Sequence, residues 1–234
     1  MGWTLRAYDD ADALATGVAD ALAAACDAAL AERGHAWLAL AGGRTPFPGY
    51  RALAARPLRW ADVTVVPTDE RCVPHEHEAS NLRGLREAFA AAAGVRIESL
   101  TTVDGEPGAS EAHAQSLLAR APARFDAALL GMGNDAHTAS LFPGAPQVRA
   151  ALDPRGAARA CRVDPVPLPP EAPYPRISLT AAALLAARAV HLVITGDGKR
   201  AVLEQASAAG DPLRYPIAAI LLAPDLDVQV HWCA

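Results

Sequence analysis

The chain has 234 residues, 52% hydrophobic but only 5% aromatic, with a formal net charge of −5. That length suffices for one sizeable core, whose volume must come from Leu, Val and Ile with close helix contacts through Ala. The acidic balance gives a nucleic-acid partner no electrostatic support, although an acidic protein can still hold a phosphate at a local basic site.

Asp9 to Arg33 carries apolar residues on a helical period without proline and predicts one long helix, stopped by Gly34. AWLALAGG reads as a buried strand running into a loop, and Pro46 starts a helix reaching about Ala55. DVTVVPTDE predicts a second strand, EASNLRGLREAFAAAAG a helix stopped by Gly94, and IESLTTV a short strand. ASEAHAQSLLARA is a helix and FDAALLGMG a third strong strand. A helix is expected to start at Thr138-Ala139-Ser140, and the pattern weakens after Leu141. DPVPLPPEAPYP, Asp164 to Pro175, is too proline-rich for a helix and reads as an ordered surface excursion. Strand RISLT, helix AAALLAARA, strand VHLVITG, helix GKRAVLEQASAAG, a short helix near Tyr215 to Leu222 and strand DVQVHW follow, with no internal repeat.

Strands alternating with helices imply an α/β protein, with a mostly parallel sheet covered on both faces and residues 1–234 forming one domain. Ligands of such sheets sit outside the carboxyl ends of the strands. Four loops, GGRTP, TDERCVP, GMGNDAH and TGDGK, each follow a predicted strand and should gather at one edge. The cysteines, Cys26, Cys72, Cys161 and Cys233, lack C-x-x-C spacing, which disfavours a zinc or redox motif and fits a reducing cytosol. The N-terminus has no basic region followed by an apolar run, and no apolar stretch of about eighteen uncharged residues occurs. The expectation is a cytoplasmic protein without a membrane span.

The loops carry distinct chemistry. In AGGRTP, Gly42 and Gly43 let an anion approach backbone N–H groups at a helix start, with Arg44 and Thr45 adding bonds. The same stretch is also compatible with a plain tight turn, and it is neither G-x-G-x-x-G nor a Walker loop. In TDERCVPHEHEASN, Asp69, Glu70 and Arg71 suit either an internal ion pair or an arginine facing an anionic substrate; His75 and His77 have no third partner, so no metal site is expected. Lys199 stands in the first turn of a helix opened by Gly196 and Gly198, against the helix dipole, a conflict that a bound anion resolves. In GMGNDAHTASLFPG, Asp135 and His137 are placed near the start of a short helix, where the dipole would keep the imidazole neutral and suited to general base work. His35, His113, His191 and His231 read as packing or surface residues.

Taken together, LALAGGRTP, TDERCVPHEHEASN, FDAALLGMGNDAHTASLFPG, PRISLT and VITGDGK, in that order, resemble the 6-phosphogluconolactonases. The resemblance implies a Rossmann-like doubly wound fold shared with glucosamine-6-phosphate deaminases. It implies hydrolysis of 6-phospho-D-glucono-1,5-lactone in the oxidative pentose phosphate pathway, with no obligatory cofactor and no metal. By motif, His137 matches the general base and Asp135 its acidic partner. Arg71 and Lys199 match the basic residues facing phosphate and substrate, and Gly42, Gly43 and Thr45 match the sugar-phosphate loop. Arg44, Asp69 and Asn81 join the binding candidates. The implied partner is a small sugar-phosphate lactone, not nucleic acid or membrane, and the implied assembly is a monomer or homodimer. Two positions depart from the family pattern: Ala136 replaces a usual Gly, and Arg44 a usual Ser. The nearest rival is the deaminase class, in which Asp69 would be the proton-transfer base, but its Asp-Glu-Tyr or Asp-Glu-Phe signature is absent. A non-catalytic sugar-phosphate sensor is a second rival, disfavoured by the chain's length and charge.

Overall fold

The computed structural model describes residues 2–170, 172–224 and 226–234. β2 (Ala36–Leu40), β3 (Val63–Pro67), β6 (Ala127–Leu130) and β9 (Val190–Thr195) fall within the predicted strands. They join β1 (Trp3–Ala7), β5 (Arg96–Ile97) and β10 (Val228–Cys233) in a seven-stranded sheet of order β1-β10-β9-β6-β2-β3-β5. Every pairing in it is parallel. From β2 the chain winds outward through β3 to β5; from β6 it winds the other way. The switch point therefore lies between β2 and β6, and the crevice beyond their carboxyl ends is where a ligand belongs.

Alternating residues along each central strand face opposite cores. Leu38, Leu40, Val65, Ala127 and Leu129 pack towards α1 (Ala11–Arg33) and α2 (Phe47–Ala54). Ala39, Val66, Ala128, Leu130 and Leu192 pack with Leu117 and Leu118 of α4 (Pro107–Arg120) and Leu203 of α7 (Asp197–Ala209). Strands buried on both faces read as unbroken apolar runs, which is why these strands stand out in the sequence. α1 starts where Asp10 accepts a hydrogen bond from Ala13 N (2.8 Å) and stops at Gly34, φ 75°. By length and composition α1 is apolar enough to cross a membrane. Its Leu14, Val18, Leu22, Cys26 and Leu30 instead face the core.

Several boundaries differ from expectation. DVTVVPTDE is two strands: β3 leaves the main sheet at Thr68, and β4 (Asp69–Arg71) pairs antiparallel with β8 (Arg176–Leu179). Thr68 bridges the two sheets, donating its N–H to Leu40 O (3.0 Å) while its carbonyl accepts from Leu179 N (2.8 Å). β7 (Ala160–Val163) completes this second, three-stranded sheet. Neither β7 nor β1 was foreseen. The predicted helix from Glu78 narrows to α3 (Asn81–Ala88), capped by Ser80, and IESLTTV forms a strand only at its start. α5 (Val148–Ala151), α6 (Ala181–Leu185) and α8 (Ala218–Leu221) are short.

Diagonal neighbours on β9 and β10, His191 and His231, form a buried pair joined through Nδ1 and Nε2 at 3.1 Å, with Tyr8 Oη 2.8 Å from His231 Nδ1. Burial pushes His191 down to about 4, and burial with the His191 neighbour pushes His231 down to about 3. The folded state thus refuses protons that the unfolded chain accepts near the ordinary histidine value. The pair's contribution is fully present above about pH 7 and is lost as pH falls from there towards 4. Urea midpoints measured from pH 7.5 to 4.5 should fall accordingly. A decline equally steep in the His191→Gln, His231→Gln double variant would assign it elsewhere.

Candidate functional site

At the switch point the four loops meet around a cleft of about 260 Å³. Gly42, Gly43, Arg44, Thr45, Asp69, Arg71, Asn81, His137 and Lys199 all line it. Asp135 lies in an adjoining cleft that shares Gly133, His137 and Lys199 and is also lined by Phe142, Pro143 and Pro165 to Pro170. The proline-rich excursion therefore borders the site; its Glu171 lies outside the described residues.

His137 is presented differently from expectation. No helix follows it: Thr138 to Leu141 form an isolated bridge and tight turns, so the expected dipole of a following helix is absent. Asp135 instead holds the ring. His137 Nδ1 lies 2.6 Å from Asp135 Oδ1, which also accepts from His137 N at 3.2 Å. A carboxylate only accepts, so Nδ1 carries a proton, and in the neutral ring it is Nε2 that keeps the lone pair. Burial raises the Asp135 carboxyl, but hydrogen bonds from the His137 ring and backbone outweigh it and hold the group below its ordinary value. Gly133 makes the approach possible, because a Cβ there would collide with His137 Nδ1 and Asp135 Oδ1.

Ala136 is fully buried with φ 63°, the left-handed region that the usual Gly enters freely, and Ala139 follows with φ 48°. Tertiary bonds impose the shape: Ile217 N donates to Ala136 O (3.0 Å) and Thr138 Oγ1 to Gly131 O (2.9 Å). The left-handed conformation costs alanine about 1–2 kcal/mol. The buried methyl and a stiffer unfolded chain return about the same amount. Ala136→Gly should therefore change unfolding free energy by less than about 1 kcal/mol, whereas Ala136→Val, β-branched at positive φ, should cost about 2 kcal/mol or more. Urea unfolding distinguishes the two.

Asp69, Glu70 and Arg71 form no internal ion pair. Asp69 is buried, with Oδ2 accepting from Ser140 Oγ (2.6 Å) and Oδ1 from Thr68 Oγ1 (3.2 Å). Glu70 is fully buried, a role that sequence reasoning missed. It accepts from Arg71 N (2.7 Å), Asn81 N (2.8 Å), Leu82 N (2.6 Å) and Ser80 Oγ (3.1 Å), closing the amino end of α3. Burial pushes its carboxyl up, opposed by these backbone donors. Arg71 Nη1 donates to Ala79 O (2.5 Å), and its buried Nε has no partner among the described residues. Asn81 Nδ2 donates to Asp69 O (2.7 Å), and its amide lies where a Cβ on Gly42 would stand. Arg44 is exposed on the cleft rim.

Two helix starts point into this cleft, α2 after Pro46 and α7 after Gly196, and neither has a side-chain cap. The first-turn N–H groups of α7 favour an anion, whereas Pro46 and Pro48 leave α2 fewer donors. Lys199, in the first turn of α7 as expected, is half-buried, and burial pushes its ammonium below the ordinary value. His75 and His77 lie elsewhere, bonded to Thr101 O and Ala79 N. Among the described residues no cluster of three or more metal-ligating side chains occurs.

Residues 9–232 match the family model described as glucosamine-6-phosphate isomerases/6-phosphogluconolactonase. The chain belongs to this family. A 6-phosphogluconolactonase of Rhizobium meliloti is 37% identical over 99% of both chains. One from Pseudomonas aeruginosa is 36% identical over 99% of this chain and 95% of its own. The crystal structure of a 6-phosphogluconolactonase from Shewanella baltica superposes with a TM-score of 0.92 at 32% identity, covering 99% of this chain and 97% of that one. A monomeric glucosamine-6-phosphate deaminase shares the fold, with a TM-score of 0.76 at 19% identity over 97% and 96% of the two chains.

Proposed function

We propose that this chain hydrolyses 6-phospho-D-glucono-1,5-lactone to 6-phosphogluconate, within the oxidative pentose phosphate pathway, with His137 as general base. The observation that carries the reading is the Asp135–His137 contact at 2.6 Å in a cleft that also holds Lys199, Arg71 and Arg44. Nε2 takes a proton from water as its oxygen attacks C1. The tetrahedral oxyanion that forms is stabilised by backbone N–H groups of the glycine loops. The imidazolium, stabilised by Asp135, then returns the proton to the departing ring oxygen, and the ring opens to the acid. A lactone is an activated ester, so this route requires no covalent nucleophile. The uncapped starts of α2 and α7, with Lys199, Arg71 and Arg44, suit the phosphate and thereby position C1.

The deaminase reading gives the proton transfer to Asp69. Here the hydroxyls of Ser140 and Thr68 tie that carboxylate into the wall, which favours the lactonase. The test is loss of freshly generated 6-phosphogluconolactone in metal-free buffer against its spontaneous rate, with ammonia release from glucosamine 6-phosphate measured in parallel. Lactone loss well above background without ammonia is expected. Ammonia with a background lactone rate would overturn the assignment.

A further inference from the structure

Arg176 opens the RISLT strand, and the proposed chemistry leaves it unused. It is 2% exposed, and the ion pairs of the described residues do not include it. Its partners are main-chain carbonyls at the end of the proline-rich excursion: Nη1 donates to Tyr174 O, and Nη2 to Ala172 O at 2.7 Å. Its Cζ stands 6.0 Å from the centroid of the Phe142 ring. Phe142 in turn packs on His137, ring centroids 4.3 Å apart and planes inclined at 33°. Arg176 also lies directly opposite Arg71 in the β4–β8 ladder, a like-charge pairing that disfavours the sheet. Burial and the Arg71 charge push its guanidinium down to about 10, which still leaves it a cation at neutral pH. A buried cation facing another cation is poor material for stability alone. What arginine offers here is a planar fork that binds two carbonyls while its charge lies over a ring face.

The hydrogen bond from Nδ1 to Asp135 fixes one direction of the His137 ring but lets it pivot about that bond. A packed wall against the ring face removes the pivot and aims Nε2. We infer that Arg176 is a positioning residue that locks the Ala172–Tyr174 carbonyls and the Phe142 ring into one unit, and that this unit orients His137. The inference rests on the reading of His137 as the base.

The test uses Arg176→Lys, which keeps the charge but not the fork, with Phe142→Leu and the double variant. Misplacing the base by a fraction of an ångström should lower kcat by about 10- to 10²-fold, with KM within about 2-fold. The double variant should lose little beyond either single one, because both act on the same ring. The NMR resonances of the His137 ring in ligand-free protein should shift and broaden in Arg176→Lys. Unchanged kcat and resonances in Arg176→Lys would overturn the inference, as would multiplicative losses in the double variant. The ligand-free resonances are read without turnover, so they report on the positioning even if the wild-type chain fails to hydrolyse the lactone.

Discussion

His137→Ala should reduce kcat for 6-phosphogluconolactone by about 10²- to 10⁴-fold, the usual contribution of a positioned general base. Little of that loss can come from unfolding, because the His137 side chain is 29% exposed and, among the described residues, its polar contacts are confined to Asp135. The variant should keep its urea midpoint within the range of an ordinary surface substitution, about 0.5 kcal/mol, plus a small term for lost packing on Phe142. KM should change little, since the proposed phosphate contacts belong to other side chains. Asp135→Asn gives the companion result. An amide offers Nδ1 either an acceptor or a donor, so the ring is no longer held in one tautomer and the forming imidazolium loses its counter-charge. Its kcat should fall, though less than in His137→Ala. Nearly full turnover by a folded His137→Ala protein would remove His137 from the chemistry, and Asp135→Asn would then have nothing to act through.

The parts of the site written as loop punctuation were legible. Gly42-Gly43, Asp69 to Arg71, Asp135 to His137 and Gly196 to Lys199 each follow a strand buried on both faces. A parallel sheet brings such loops to one edge whatever their separation in sequence. The turn after His137 was not legible. Thr138-Ala139-Ser140-Leu141 carries good helix formers behind a capping residue, so local propensity says helix. Tertiary bonds overrule it: Ser140 Oγ is drawn to Asp69 and Ser140 N to Ser178 Oγ (3.1 Å), while Ala136 and Ala139 are held at positive φ. β1 and β7 failed for a related reason. Both are short, and the ladders that define them come from other segments: β1 pairs with β10 at the far end of the chain, and β7 with β8 across the proline-rich excursion. Thr68 reads as mid-strand because buried residues flank it on both sides; only the arrival of Leu179 shows that the chain changes sheets there. Glu70 likewise looks like one more charge in a polar loop until α3 delivers its amino end to it.

Lys199→Ala should separate phosphate recognition from catalysis, with opposite signs in affinity and stability. Losing one charge-assisted bond to a phosphate costs about 1.5–3 kcal/mol, or about 10- to 150-fold in kcat/KM. The loss should appear mainly as raised KM for 6-phosphogluconolactone. Unphosphorylated gluconolactone lacks the group that Lys199 is proposed to meet, so its kcat/KM should move by less than about 3-fold. In the ligand-free protein the same substitution should be neutral or stabilising. Lys199 is a half-buried cation in the first turn of α7, opposed to the helix dipole by about 0.3–1 kcal/mol, and among the described residues no carboxylate pairs with it. A residue kept only for packing would show the reverse, with lost stability and indifferent KM. Equal losses on both lactones would mean that Lys199 serves the reacting centre, and the phosphate would then have to be assigned to Arg71, Arg44 and the start of α2.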